Sequence, residues 1–119
     1  MSTHDLKYIT VPFTIADVST AGQVFIPVNR EMEGEIVEIR TVLNGAIGTA
    51  DVDLTAKIGG TAVTGGVVTI ATADSAAGDV DTAAPTALNT VVEGDAIEIE
   101  TDGASSNAVS VFGNILIKR

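Results

Sequence analysis

Apolar and polar residues alternate along most of this chain, which is the pattern of β-strands that have one face in a core and one in water. The alternation is clearest in DVDLTAKI, residues 51–58, whose even-numbered positions are apolar and whose odd-numbered positions are polar. Gly59-Gly60 and Gly65-Gly66 follow, and paired glycines supply the positive φ angles that tight turns need. We therefore predict a β-meander with two turns across residues 51–70.

The same alternation predicts further strands on both sides of this meander. Pro12 and Pro27 lack an amide hydrogen, so their strands are expected at sheet edges. Asn44-Gly45 is a strong hairpin signal, and Ala71–Leu88 lacks strand periodicity and is predicted to be a long surface loop of functional use. The further predicted strands are Tyr8–Ile15, Gln23–Val28, Glu35–Asn44 with Val37, Ile39, Thr41 and Leu43 on one face, Asn89–Val92, Ala96–Thr101 and Ala108–Lys118.

These elements predict an all-β fold, an antiparallel β-sandwich of jelly-roll type with seven to nine short strands. The chain has 119 residues, enough for one domain, which we place at residues 8–119 after a loose N-terminal arm, residues 1–7. The 15 Val and 12 Ile against 5 Leu favour strands. No helix longer than one turn is expected.

The last predicted strand has apolar residues on both faces. Val109, Val111, Ile115 and Ile117 fall on one side, and Phe112 and Leu116 fall on the other. Two apolar faces indicate a strand in the middle of a sheet or a strand at a subunit contact.

The composition excludes several classes of function. A net charge of −10, from 16 acidic and 6 basic residues, argues against nucleic-acid binding, which needs clustered Lys and Arg. No apolar run is long enough for a membrane span or a signal peptide, so we expect a soluble protein made without Sec export. The chain has no cysteine and therefore no thiol nucleophile.

Catalytic and metal-binding candidates are weak. His4 is the only histidine and lies in the predicted arm, where nothing rigid would hold a catalytic triad. The D-x-D pairs Asp51/Asp53 and Asp79/Asp81 offer oxygen ligands for calcium, and Asp74 could complete a site with the second pair. In a chain so rich in acids we favour solvated carboxylates, and we predict no enzyme activity, no metal and no cofactor.

Glu98, Glu100 and Asp102 line one face of a predicted strand. A glycosidase pair needs one carboxyl group in an apolar pocket that raises its pKa. Since this face is evenly acidic, we interpret it as a solvated surface. The two glycine pairs lack the following helix and lysine of a phosphate-binding loop.

Three stretches carry a resemblance to a known family of proteins. They are VPFTIADVSTAGQVFIPV at Val11–Val28, KIGGTAVTGGVVTI at Lys57–Ile70 and SAAGDVDTAAPTALNTVVEGDAIEIETDG at Ser75–Gly103. Together they resemble the capsid decoration, or cement, proteins of tailed bacteriophages, which are small β-sandwich proteins on the outside of the head. The resemblance covers almost all of the chain after the arm.

The resemblance implies a structural virion protein that binds the major capsid protein on the outer surface of the phage head. It also implies self-association, with a homotrimer as the first choice, and neither nucleic acid nor membrane as a partner. We expect the contacts to involve Lys7, Tyr8, Phe112 and Leu116. Alternatives are a head-fibre or tail component, or a carbohydrate-binding β-sandwich that contacts host glycans, although scarce aromatic residues disfavour the last.

Overall fold

A computed structural model describes residues 7–119, and it consists of nine β-strands and one turn of 3-10 helix at Arg30–Met32. The all-β prediction is confirmed. The strands are β1 (Tyr8–Ile15), β2 (Gly22–Pro27), β3 (Gly34–Leu43), β4 (Val52–Ile58), β5 (Thr61–Ile70), β6 (Val80–Ala83), β7 (Thr90–Val91), β8 (Ala96–Thr101) and β9 (Val111–Lys118).

The strands form two antiparallel sheets. Sheet A has the order β1-β9-β3-β6, with the short β7 also paired to β3, and sheet B has the order β2-β8-β4-β5. Most consecutive strands therefore lie in different sheets, and apart from the β4–β5 hairpin, paired strands come from distant parts of the chain. This order is that of a jelly roll, in which two Greek keys wrap around one core.

The core lies between the two sheets and is filled by aliphatic side chains. In sheet A, Val11, Ile115, Ile39 and Ala83 form one inward-facing row across four strands, and β9 lies between β1 and β3, as predicted from its apolar residues. In sheet B the inward residues of β8 are Ile97, Ile99 and Thr101, also as predicted. The largest fully buried side chains are Ile36, Ile39, Leu43, Leu54, Ile70, Ile97, Ile99, Ile115, Ile117, Val18, Val52 and Val68.

Both strands that contain proline lie at sheet edges. β1 pairs only with β9, and β2 pairs only with β8. Pro12 and Pro27 thus occupy strands that expose one row of backbone groups, where a missing amide hydrogen removes no ladder hydrogen bond. The edge predictions are confirmed.

The predicted second turn of the meander is wrong. β5 runs without interruption from Thr61 to Ile70, and Gly65-Gly66 forms a bulge in it, between the pairs Thr55↔Val67 and Lys57↔Ala62. Gly65 has a φ of +76°, so the positive φ that the glycines allow is used to buckle a strand. At the bulge, the Thr64 amide donates to the carbonyl of Ala87 at 3.0 Å, which links β5 to the segment after β6.

Two predictions about connections are also wrong. Asn44-Gly45 is not a hairpin turn, because β3 belongs to sheet A and β4 to sheet B, so the segment crosses between sheets. Ala71–Leu88 is not all loop, because it contains β6, which pairs with β3. β6 has only four residues and is the edge strand of sheet A next to β3.

A β-bulge in β3 changes one of its predicted faces. The register shifts between Ile36 and Glu38, so Val37 is the extra residue. Ile36 therefore points into the core, fully buried, whereas the strict alternation placed it on the outer face with Glu38. The Asn89 side chain donates to the Ile36 carbonyl at 2.7 Å, and every buried side-chain polar atom in residues 7–119 has a hydrogen-bond partner.

Candidate interaction surface

The outer face of sheet A carries a row of exposed apolar side chains. The strand registers place Thr14, Phe112, Val42 and Val80 side by side across β1, β9, β3 and β6. Phe112 is 52% exposed, Val42 37% and Val80 52%. We call these last three residues the apolar row. Cross-strand neighbours lie about 5 Å apart, so the apolar row is one continuous stripe.

A second row lies beside the apolar row and is polar. It consists of Pro12, Asn114, Arg40 and Thr82 on the same four strands. The Arg40 guanidinium group is held by Glu38 on the same strand, with Nη2 at 3.2 Å from Oε2 and Nε at 3.4 Å from Oε1. The bidentate contact fixes the arginine over the sheet.

A shallow depression of about 280 Å³ lies between the two rows. Gly113 and Phe13 lie at its base, and on the core side of the sheet the Phe13 ring packs where a side chain at position 113 would lie. The depression is lined by Pro12, Phe13, Thr14, Arg40, Val42, Phe112, Gly113 and Asn114.

Three of the four predicted contact residues, Tyr8, Phe112 and Leu116, point outward from sheet A but are spread along it. Tyr8 is exposed and pairs with Lys118 at the far end of the sheet, and Leu116 is half-buried between Thr10 and Glu38. Lys7 is exposed and its carbonyl accepts a hydrogen bond from the Arg119 amide at 2.7 Å. Phe112 lies six residues from the end of β9, about 20 Å from Tyr8. The rest of the predicted arm and His4 lie outside the described residues.

The sequence did not identify two residues of the apolar row. Alternation places Val42 on the face opposite Ile39, Thr41 and Leu43, with no signal that it is exposed beside Phe112, and Val80 falls in the predicted loop Ala71–Leu88. Their neighbours in space are set by pairing between β9, β3 and β6, strands that are far apart in the chain. A valine next to Asp79 in a stretch rich in alanine gave no local signal of this position.

The outer face of sheet B is acidic and differs from that of sheet A. Glu98 and Glu100 point outward from β8, and the Lys57 ammonium lies 2.8 Å from the Glu100 carboxylate. The hydrogen bond to Glu100 raises the pKa of Lys57, and the negative charge of Glu100 raises it further. Phe25 and Val67 are exposed on the same face, at 60% and 44%, but lie on opposite edge strands.

The weak metal candidates do not form a ligand set. The Asp79 carboxylate accepts a hydrogen bond from the Ala76 amide at 2.9 Å, and Asp74 has a φ of +58° in the turn before it. Asp81 lies on β6, paired with Thr41. Within residues 7–119 no three His, Cys, Asp or Glu residues converge to hold a metal ion.

Burial raises the pKa of Asp81, and the nearby charge of Asp79 raises it further. A carboxyl group whose pKa is higher in the folded than in the unfolded protein disfavours folding once it ionises, so this effect is absent at low pH and complete above the folded pKa. We expect Asp81→Asn to increase the free energy of unfolding at neutral pH by at most about 0.5 kcal/mol, because solvent screens this half-buried group. Urea unfolding of the variant and the native protein, at neutral pH and near pH 3, measures the difference in free energy of unfolding. An increase of equal size at both pH values would contradict this explanation.

A second depression, of about 270 Å³, lies at the turn between β1 and β2 and is lined by Ile15, Val24 and Thr101 among others. The nearest carboxylate, Asp17, accepts hydrogen bonds from the amide and hydroxyl groups of Ser19 at 2.7 and 2.6 Å. These bonds lower the pKa of Asp17. They give the carboxylate a structural role in the turn.

Comparison with known proteins assigns the chain to no family. No protein-family model matches the chain, and no curated protein matches it. Among solved structures, it is similar to part of dimeric latent PorU from Porphyromonas gingivalis, with 10% identity and a TM-score of 0.43. The likeness covers 94% of this chain and 13% of the PorU chain. Residues 7–119 contain no helix that is long and apolar enough to cross a membrane.

Proposed function

We propose that this chain is a structural virion protein that binds the outer surface of a tailed-phage head and stabilises the shell. The observation that carries the proposal is the apolar row, exposed on the outer face of a sheet whose inner face packs on the core. An exposed apolar stripe of this kind is typical of a protein that works by lying against other proteins. The sequence resemblance to decoration proteins supports the same function.

The sandwich suits such a role in two further ways. Its two outer faces differ in character, since one presents the apolar row and the other presents Glu98 and Glu100. A protein with two unlike faces can contact its own copies with one and a shell or solvent with another. Because many copies act on one particle, weak individual contacts are sufficient for stable decoration. Self-association is part of the proposal, and the resemblance implies a homotrimer as the associated unit.

The first test uses heads of the phage that encodes this chain, prepared from a mutant that lacks the gene. Added protein is expected to bind these heads to saturation and to raise the temperature at which they release DNA, because a ligand that binds only the intact shell stabilises it. Sedimentation measures binding, and a DNA dye measures release. Albumin at the same concentration is the control, and it should neither bind the heads nor raise the temperature of DNA release.

Electron cryomicroscopy of the decorated heads then locates the protein. The proposal expects extra density of about 12 kDa per copy on the outer surface of the shell. Density at the tail or at fibres would replace decoration by a fibre or tail role. Absence from the particle combined with binding on a glycan array would favour the carbohydrate-binding alternative.

A further inference from the structure

The outer face of sheet A is unusual in a strongly acidic chain because its charges balance. Two acidic and two basic residues point outward from its strands: Glu35 and Glu38 on β3, Arg40 on β3 and Lys118 on β9. The chain as a whole carries a net charge of −10. This face therefore holds 2 of the 16 acidic residues and 2 of the 6 basic ones, and its net charge is zero.

Charge decides which faces of an acidic protein can meet a second copy. Two identical acidic faces repel each other, and like charges in contact cost several kcal/mol at an interface. Two copies of the neutral face meet without this repulsion. The acidic residues of sheet B lie on the other side of a sandwich whose layers are about 10 Å apart. At physiological salt, the Debye length is about 8 Å, so these charges are largely screened from a contact at sheet A.

The size of the face is adequate for a weak but specific contact. β1, β9, β3 and β6 have 8, 8, 10 and 4 residues, and at about 4.8 Å between strands and about 3.3 Å per residue they give a face of roughly 19 by 25 Å on average. Such a face covers about 500 Å², or about 1,000 Å² for two copies, which is near the lower limit for specific interfaces. The apolar row runs across it, and Asn114 and Arg40 offer hydrogen bonds beside the row.

We propose that two copies of this chain associate face to face through the outer faces of their A sheets, as a two-fold pair, in place of the threefold unit that the resemblance implies. The occupant of the apolar row is thus a second copy of the same chain, and the acidic face of sheet B remains free for other contacts. The inference deepens the proposed function by naming the partner of this face. It can be tested on the purified protein without any phage head, so its failure and the failure of the decoration role are distinguishable.

The first experiment compares two double variants that remove the same two residue types from opposite faces. Val42→Thr with Phe112→Thr removes the centre of the apolar row, and Phe25→Thr with Val67→Thr removes exposed apolar residues from sheet B. Threonine is β-branched and is favoured in strands, so both variants keep residues that suit a sheet. We expect the first variant to associate at least about 10-fold more weakly than the native chain, because buried apolar contacts supply most of the affinity of such an interface, and the second to associate normally.

Light scattering after size-exclusion chromatography, and sedimentation equilibrium, measure the mass relative to the 12.1 kDa of one chain. Far-UV circular dichroism checks that each variant is folded. A native chain that stays monomeric at about 100 µM, a concentration at which even weak interfaces are populated, would overturn the proposal. Equal association of the two variants, or loss of association only in the sheet B variant, would also overturn it.

A second experiment reports the geometry and does not depend on a loss of binding. The chain has no cysteine, so Thr10→Cys and Thr55→Cys each introduce a single site for a nitroxide label. Thr10 is exposed on the outer face of sheet A, outside the apolar row and the polar row beside it, and Thr55 lies on the outer face of sheet B. If copies meet through sheet A, labels at position 10 lie in the plane of the contact, whereas labels at position 55 are separated by both sandwiches. We expect the shorter distance at position 10 in pulsed electron spin resonance. The shorter distance at position 55 would overturn the proposal.

Discussion

Replacing Ile115 by alanine is expected to lower the free energy of unfolding by about 3 kcal/mol. Ile115 is fully buried in the middle of β9, between Val11 of β1 and Ile39 of β3. The substitution removes three buried methyl or methylene groups and leaves a cavity in the row, which the paired backbones of three strands prevent from collapsing. Urea unfolding followed by circular dichroism measures the loss, which corresponds to a fall in Tm of roughly 10 °C.

The matched control is Ile115→Val, which removes a single methylene group from the same site and keeps the β-branched shape. It should cost about 1 kcal/mol. Equal costs for the two variants would mean that the site collapses around alanine. The packing of β9 would then be looser than its complete burial indicates.

Gly103→Ala is expected to destabilise the protein by about 3 kcal/mol, for two separate reasons. Gly103 has a φ of +69°, a conformation that costs other residues about 1–2 kcal/mol. A Cβ atom at this position would also overlap the backbone of Thr20 and Ala21 in the turn between β1 and β2. Backbone atoms cannot turn away as the end of a side chain can, so the turn must shift, at about 1–3 kcal/mol.

Gly59→Ala separates the two causes. Gly59 has a similar φ of +58° but has open space where its Cβ would lie, so this variant bears only the conformational cost of about 1 kcal/mol. The difference between the two variants, measured by urea unfolding, is the cost of the collision at Gly103. If both variants lose the same stability, the turn at Thr20 and Ala21 yields freely and the collision has no cost.

The sequence predicted strands well where local physics decides the answer. Alternation located β1 and β8 to the residue, and Pro12 and Pro27 identified two of the edge strands because proline affects only its own strand. Prediction from the sequence failed where the pairing of strands that are far apart in the chain decides the local structure. Gly65-Gly66 and Asn44-Gly45 have turn chemistry, but whether glycine turns a chain or buckles a strand depends on the neighbour. The neighbour of Thr64 is the segment around Ala87, more than twenty residues away.

The candidate surface was predicted in part, for the same reason. Phe112 stood out because an apolar residue on the polar face of a strand breaks the alternation. Val42 and Val80 became its neighbours only through the registers β9↔β3 and β3↔β6. The charge balance of the face also depends on register, since Lys118 and Glu35 are 83 positions apart in the chain but are paired in the sheet.

The pairing of β1 with β9 has a consequence for the newly made chain. β1 has one partner strand, and roughly 100 residues separate the two; a ribosome working at roughly 5–20 residues per second therefore needs roughly 5–20 s to reach that partner. β2 likewise has no partner strand until β8 has been synthesised. Neither sheet can close before β8 and β9 have emerged from the ribosome, and until then Pro12 and Pro27 disfavour pairing of β1 and β2 with the strands of other chains.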